Sequence, residues 1–372
     1  MRVAHIVGNG FDISSGLNTS ARKLISELEE IAQIAPLVPQ GIKLLAEDIQ
    51  DKGIKYWSDF EVALGEATSY ESFAKSPRLF LEGKNEFERI LSELLKKRVA
   101  LIDDVFIDKN ANSCIKSLGK IQTSMQEGEL ASFNRILSSE PHRWDYWHTF
   151  ITLNYTPTLE LLTHKFDKSQ AFVNGGAEKG SHYISDLIYA HGSFADAPIC
   201  GVNDASQIKN ENFRKDIDVS SMLIKENAQH DFGVLNDEKA LRVIENSSLI
   251  CTFGVSFGKS DKRWWTAILD RLIKNRTSAL ILFDTKYSSN YNLTWDKRRA
   301  RTNAMERFLT ASEANSEIWE AIAERIFVLP SEKFFVIEEP LSFRGLSDND
   351  LLEIANRLYQ KDQTIHRRIS AI

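Results

Sequence analysis

The strongest constraint on this chain's fold is a set of short, unbroken apolar runs. They cover residues 3–7, 150–153, 187–190, 249–253 and 279–283, with a weaker run at 326–329. Most show no polar alternation, which suits strands buried on both faces of a parallel sheet. Between them the hydrophobic period changes to that of helices, as at 22–32, 237–246 and 261–275. Thr19 or Ser20 can cap the first of these. Strands alternating with helices predict a layered α/β domain.

The first two runs are separated by about 140 residues, far more than a crossover requires. Residues 87–95 and 130–137 inside that gap repeat with a helical period. The expected architecture is therefore a Rossmann-like, mostly parallel central sheet flanked by helices, with a large helical insertion after the first βα unit. Residues 1–35 and 149–335 are assigned to the α/β domain, 36–148 to the helical module, and 336–372 to a C-terminal helical tail. Ser347-Asp348-Asn349-Asp350 ahead of Leu351 predicts a capped helix in that tail. A mainly polar stretch at 203–230 is a candidate lid or partner surface.

Charge and cysteine usage narrow the function classes. A net charge of −6 argues against a general nucleic-acid-coating field. Lys96-Lys97-Arg98 and Arg298-Arg299-Arg301 lie in helical patterns and read as solvated helix faces. The three cysteines, Cys114, Cys200 and Cys251, are widely spaced and form neither a disulfide framework nor a zinc pair. Cys200 and Cys251 sit in apolar, strand-like runs and read as small core residues. No segment approaches the roughly 20 apolar residues of a membrane span. The expected location is the cytoplasm, without a membrane.

The chemistry-bearing clusters share one placement. Gly8-Asn9-Gly10-Phe11-Asp12, Asn154-Tyr155-Thr156, His191-Gly192-Ser193, Gly254-Val255-Ser256 and Asp284 each follow a predicted strand. In open α/β sheets, ligands bind outside the carboxyl ends of the strands. Gly8 and Gly10 would permit a tight turn and a close approach to an anion, with the next helix offering its amino end to a phosphate. Ile13 stands where the dinucleotide fingerprint has its third glycine, so a plain strand-to-helix turn is an equal reading. Asn154 can hold ribose hydroxyls or a water, or simply cap the helix opened by Pro157, a role Thr156 also suits. His191 can reach a ligand through its imidazole or be structural.

Other clusters are assigned to structure. His142, Asp145 and His148 lack a familiar metal spacing and read as amphipathic surface at a helix end, with Trp144 and Trp147 turned inward. Trp57-Ser58-Asp59-Phe60-Glu61 reads as a helix start with Ser58 as cap and Glu61 completing the box. No hydrolase elbow or Walker lysine is present.

Gly8-Asn9-Gly10-Phe11-Asp12 followed by Gly16-Leu17-Asn18-Thr19 resembles the opening of the bacterial AbiH family of phage abortive-infection proteins. The likeness continues through 57–61, Thr152-Leu153-Asn154-Tyr155-Thr156-Pro157, His191-Gly192-Ser193, 199–204 and 253–261. The same order is similar to a diverged sirtuin-type NAD site. That resemblance implies an anti-phage effector that binds NAD as substrate and hydrolyses its nicotinamide–ribose bond. It casts Asn154 and His191 as catalytic. Gly8, Asn9, Gly10, Phe11, Asp12, Thr152, Gly254, Ser256 and Asp284 would bind the nucleotide.

Tyr155-Thr156 replaces the acidic residue of many sirtuin relatives, and the four-cysteine zinc module is missing, so hydrolysis is implied rather than deacylation. No metal is expected. The alternatives are a nucleotide-binding sensor without hydrolysis and a metal-dependent nuclease. Expected partners are the nucleotide, a protein or phage-derived trigger, and a second copy of the chain in a homo-oligomer. A cell-resident NAD hydrolase needs an off state, for which the 36–148 module or the 203–230 stretch is the candidate.

Overall fold

The computed structural model describes residues 1–34, 41, 45, 56–137, 145–173, 180–195, 198–231, 233, 235–287, 294–343 and 345–369, with side chains of the last helix to 358. The chain divides into two compact units. One comprises residues 1–16, 102–191 and 235–341; the other comprises 17–101, 192–234 and 342–372. The 36–148 span expected as one module falls on both sides of this division, as does 1–35.

The first unit is built on a six-stranded sheet, ordered β3-β2-β1-β4-β5-β6. The strands are β1 (Arg2–Val7), β2 (Asp145–Thr152), β3 (Ser181–Tyr189), β4 (Leu249–Phe253), β5 (Ala279–Asp284) and β6 (Ile326–Pro330). Every pairing is parallel. This is the strand order of doubly wound dinucleotide-binding sheets, whose order reverses beside β1. The fold is Rossmann-like, as the apolar runs predict.

Burial explains why those runs were so plain. β4, β5 and β6 are buried at every position, and β1 at all but its first. One face packs Phe106, Cys114 and Leu118 against Val3, Phe150 and Cys251. The opposite face packs Ile244, Trp264, Ile268 and Phe308 against Ile6, Ile250 and Leu280. Covering both faces with helices is what lets a parallel strand be apolar throughout. β3, at the edge, is only partly covered.

β2 overturns one expectation. Residues 145–148 form a strand, not a helix end. His148 is wholly buried, while Trp147 is 43% exposed and stacks on Tyr183 with centroids 4.6 Å apart. Alternation along a strand sends neighbours to opposite faces, and the facing is the reverse of the expected one: His148 is turned into the core and Trp147 toward the surface. His142 and Trp144 lie outside the described residues.

His148 is the middle of a row that crosses three strands. His5 Nε2 lies 2.7 Å from His148 Nδ1, and His148 Nε2 lies 3.0 Å from His182 Nδ1. Tyr146 stacks on His182 at 4.3 Å. Burial pushes His5 down to about 3 and His182 down to about 4, and it holds His148 well below the ordinary histidine range. The three imidazoles are therefore neutral core groups at neutral pH.

The second unit is helical. Helices Ala21–Ile34, Pro77–Val99 and Asp348–Ile369 pack together. Ser347 and Asp350 cap the last reciprocally: Ser347 Oγ accepts from the Asp350 amide at 3.2 Å, and the Ser347 amide donates to Asp350 Oδ2 at 3.1 Å. Phe60 stacks on Phe87 at 4.5 Å, and Phe80 meets Phe73 and Phe213 edge-on. Residues 203–230 contribute short helices, among them Ile217–Leu223 and Lys225–Asp231.

Two local expectations change in this unit. Helix Trp57–Ala67 is entered from Tyr56, whose amide donates to Asp59 Oδ2 at 2.9 Å. Glu61, one turn further in, is buried and accepts from Lys225 Nζ at 2.8 Å, so it is not part of a cap. Arg98 is not on a solvated face: it is wholly buried and paired with Glu27 at 2.5 Å. All three cysteines are buried, Cys251 within β4 and Cys200 outside any strand. No described helix is long and apolar enough to cross a membrane.

Candidate functional site at the carboxyl edge of the sheet

Gly8 follows β1 and Gly254 follows β4, so the two glycine loops flank the point where strand order reverses. They touch through bare backbone. The Gly8 amide donates to Phe253 O at 2.8 Å, and the Gly10 amide donates to Gly254 O at 2.9 Å. A Cβ on Gly10 would sit 2.5 Å from Gly254 Cα, and one on Gly8 would sit 2.7 Å from Gly254 O. Gly254 itself has φ of 66°. These glycines are thus required by loop-to-loop contact, independently of any ligand.

That contact changes what the first loop can offer an anion. The Phe11 amide donates to Gly8 O at 3.0 Å and the Ile13 amide to Asn9 O at 3.1 Å. With Gly8 and Gly10, four amides of this loop are engaged by carbonyls. Phe11 is wholly buried and packs edge-on against Phe335 and Phe253, so its ring belongs to the core. Asp12 is buried as well. Its Oδ2 accepts from Thr156 Oγ1 at 2.6 Å, and Thr156 accepts in turn from Thr158 Oγ1 at 3.1 Å. Thr156 therefore ties the loop after β2 to the loop after β1. It does not cap helix Thr158–Thr163, whose N-cap is Pro157.

Asn154 and His191 follow β2 and β3 at corresponding register positions. Thr152 pairs with Tyr189, and the pairing extends one step through the Ala190 amide to Thr152 O at 2.9 Å. Two residues beyond that pair come Asn154 and His191, just past the ends of these neighbouring strands. The Asn154 amide is held by Thr152 Oγ1 at 3.1 Å. Asn154 is 5% exposed and His191 4%. Asn154 Oδ1 and His191 Nδ1 have no hydrogen-bond partner among the described residues. Buried polar atoms are paired in the great majority of native positions. Two such atoms past the ends of neighbouring strands, at the edge where such sheets bind ligands, make this the candidate site.

The other nitrogen of His191 faces an acid that sequence reading treated only as a helix start. His191 Nε2 lies 2.9 Å from Asp261 Oδ1, an ion-pair distance without hydrogen-bond alignment. Trp264, one turn later, lies 6.4 Å from the imidazole between ring centres and carries Arg263 over its own ring. Arg263 is anchored in turn by Asp237. The signal for Asp261 was present in Gly258-Lys259-Ser260-Asp261, but only tertiary structure pairs that segment with β3.

The remaining candidates divide. Ser256 is exposed on the β4 loop, and Asn9 is half-buried on the β1 loop. Thr152 is buried and acts through the Asn154 amide. Asp284 ends β5 but is engaged by Arg307 and by the Lys286 amide at 2.6 Å. Among the described residues no group of three or more His, Cys, Asp or Glu is placed to hold a metal ion.

A family model described as bacteriophage abortive infection AbiH matches residues 4–283. The chain belongs to the AbiH family. The match stops one residue short of Asp284 and includes Asn154, His191 and Asp261. No curated protein matches the chain.

Proposed function

We propose that this AbiH-family chain acts in abortive infection by binding NAD at the carboxyl edge of its sheet and hydrolysing the nicotinamide–ribose bond. The observation that carries the reading is two buried groups past neighbouring strand ends, Asn154 Oδ1 and His191 Nδ1, without a hydrogen-bond partner among the described residues. The Rossmann-like strand order supports a nucleotide at the reversal beside β1.

The chemistry asks little of the protein. Nicotinamide leaves as a neutral molecule, taking the C1′–N electron pair into its positively charged ring, so no general acid is needed. A water must be aligned and deprotonated as its oxygen bonds to C1′. Asn154 Oδ1 accepts from that water or from a ribose hydroxyl, and His191 Nδ1 accepts the water's proton. The glycine loops contribute shape and few free amides, so diphosphate binding rests on the exposed part of the loops, Asn9 and Ser256 among them.

Nicotinamide release by purified protein, with heat-capacity or calorimetric titration of NAD and ADP-ribose, tests this reading. Wild type should bind both and release nicotinamide, while Asn154→Ala and His191→Ala should retain ADP-ribose binding and lose release. Tight binding with no release from wild type, and undiminished phage defence by His191→Ala, would favour a nucleotide sensor instead.

A further inference from the structure

We infer that Asp261 is a positioning residue for His191: it fixes the imidazole with its proton on Nε2 and leaves Nδ1 as the basic atom. Its catalytic meaning rests on the NAD-hydrolysis reading above; its structural meaning does not.

The geometry separates the two ring nitrogens. Nε2 lies 2.9 Å from the Asp261 carboxylate, whereas Nδ1 is buried and has no hydrogen-bond partner among the described residues. A neutral imidazole carries one N–H, and a carboxylate accepts but does not donate. The proton therefore belongs on the nitrogen facing Asp261, and the lone pair on the nitrogen with no hydrogen-bond partner among the described residues. The alternative tautomer would set a lone pair against a carboxylate and bury an unsatisfied N–H.

Asp261 stands at the N-cap of helix Lys262–Lys274, where an aspartate ordinarily accepts from the first-turn amides. Here its side chain makes no cap hydrogen bond. Side-chain exposure is 14% for Asp261 and 5% for His191, so the pair is shielded from solvent on both sides. The pair is misaligned in the ligand-free chain, as catalytic hydrogen bonds often are before substrate binds.

In the hydrolytic step the balance is simple. The water oxygen bonds to C1′, the C1′–N bond breaks toward nicotinamide, and the water proton goes to Nδ1. The imidazolium so formed is stabilised by the Asp261 carboxylate at Nε2. Asp261 touches no reacting atom.

Nitrogen-15 NMR of the full chain tests this directly, with the His191 signals assigned by their loss in His191→Gln. Neutral His191 should show a protonated Nε2 and an unprotonated Nδ1. Asp261→Ala should convert it to a mixture of tautomers, lower kcat for NAD by about 10²-fold, and leave KM within about 2-fold. Asp270→Ala, an exposed position on the same helix, should change neither readout. If Asp261→Ala does not fold, Asp261→Asn preserves the volume and should still lower kcat without raising KM. A wild-type spectrum with the proton on Nδ1, or an Asp261→Ala spectrum unchanged from wild type, would overturn the pairing. A correct tautomer in a protein that never cleaves NAD would instead overturn only the hydrolytic reading.

Discussion

The Gly10 amide donates to the Gly254 carbonyl across 2.9 Å, and no Cβ fits between the two backbones. Two strands that neighbour each other in the sheet, β1 and β4, are thereby locked just beyond their carboxyl ends. A glycine pattern that resembles a phosphate loop is, in this chain, first a backbone-packing device.

Gly10→Ala should therefore destabilise the protein whether or not a nucleotide is bound. Forcing an atom to within 2.5 Å of Gly254 Cα belongs with overpacking changes that cost about 1–3 kcal/mol. Gly254→Ala should be at least as harmful, because its φ of 66° adds left-handed strain of about 1–2 kcal/mol. Urea unfolding of both variants with and without saturating NAD measures this. A loss seen only in the presence of nucleotide would point back to a phosphate role.

Asn154→Ala should behave in the opposite way. The side chain is buried with an unpartnered Oδ1, and removing an unsatisfied acceptor lifts a desolvation cost. Stability should stay within about 1 kcal/mol of wild type, while nicotinamide release is lost. Paired melting and activity assays separate the two effects.

The histidine row predicts acid sensitivity. His5 and His182 are held at about 3 and about 4 against an ordinary 6.5. Between those values the unfolded chain binds protons that the folded chain refuses, so stability is complete above pH 6.5 and falls as pH drops toward 4. Denaturation series at pH 7, 5.5 and 4.5 should show this slope. His5→Phe should be less steep by up to one proton, with some loss at neutral pH because His148 Nδ1 loses its partner. An unchanged slope would contradict the neutral, buried state of His5.

Arg98 and Glu27 form a second test of burial. Both are almost fully buried, and Arg98 also donates to Leu94 O at 3.0 Å. Arg98→Met alone should cost about 3–5 kcal/mol by leaving the buried Glu27 with only the longer Lys23 pair at 3.5 Å, and Arg98→Met with Glu27→Leu should recover part of that loss. A double variant no better than the single would show that the backbone contacts of Arg98 matter more than its charge.

The fold was legible where one environment governs a whole element. β4 is buried at every residue, and its five-residue apolar run matched it end to end. β2 was found only at its buried carboxyl half, because its opening residues are partly exposed, and β3, partly covered along most of its length, was found only at 187–190. Ser347 and Asp350 announced their cap because both partners lie within one turn. The cap at Tyr56 and Asp59 was misplaced to Ser58 because Glu61 offered a similar spacing, and only the fold shows Glu61 paired with Lys225.

The candidate site divides along the same line. Asn154 and His191 were visible because strand ends can be read from sequence. Asp261 was not, since its pairing joins the segment after β4 to the segment after β3 through no local pattern. Arg98 failed for the same reason: its partner Glu27 lies in a different helix, so a basic run on one helix looked solvated.

The most direct test of the central claim is cellular NAD during phage infection of bacteria expressing this chain. Wild type should lower NAD after infection and limit phage spread, while Asn154→Ala and His191→Ala, present at equal protein levels, should do neither. Constant NAD in cells that wild type still protects would contradict the account.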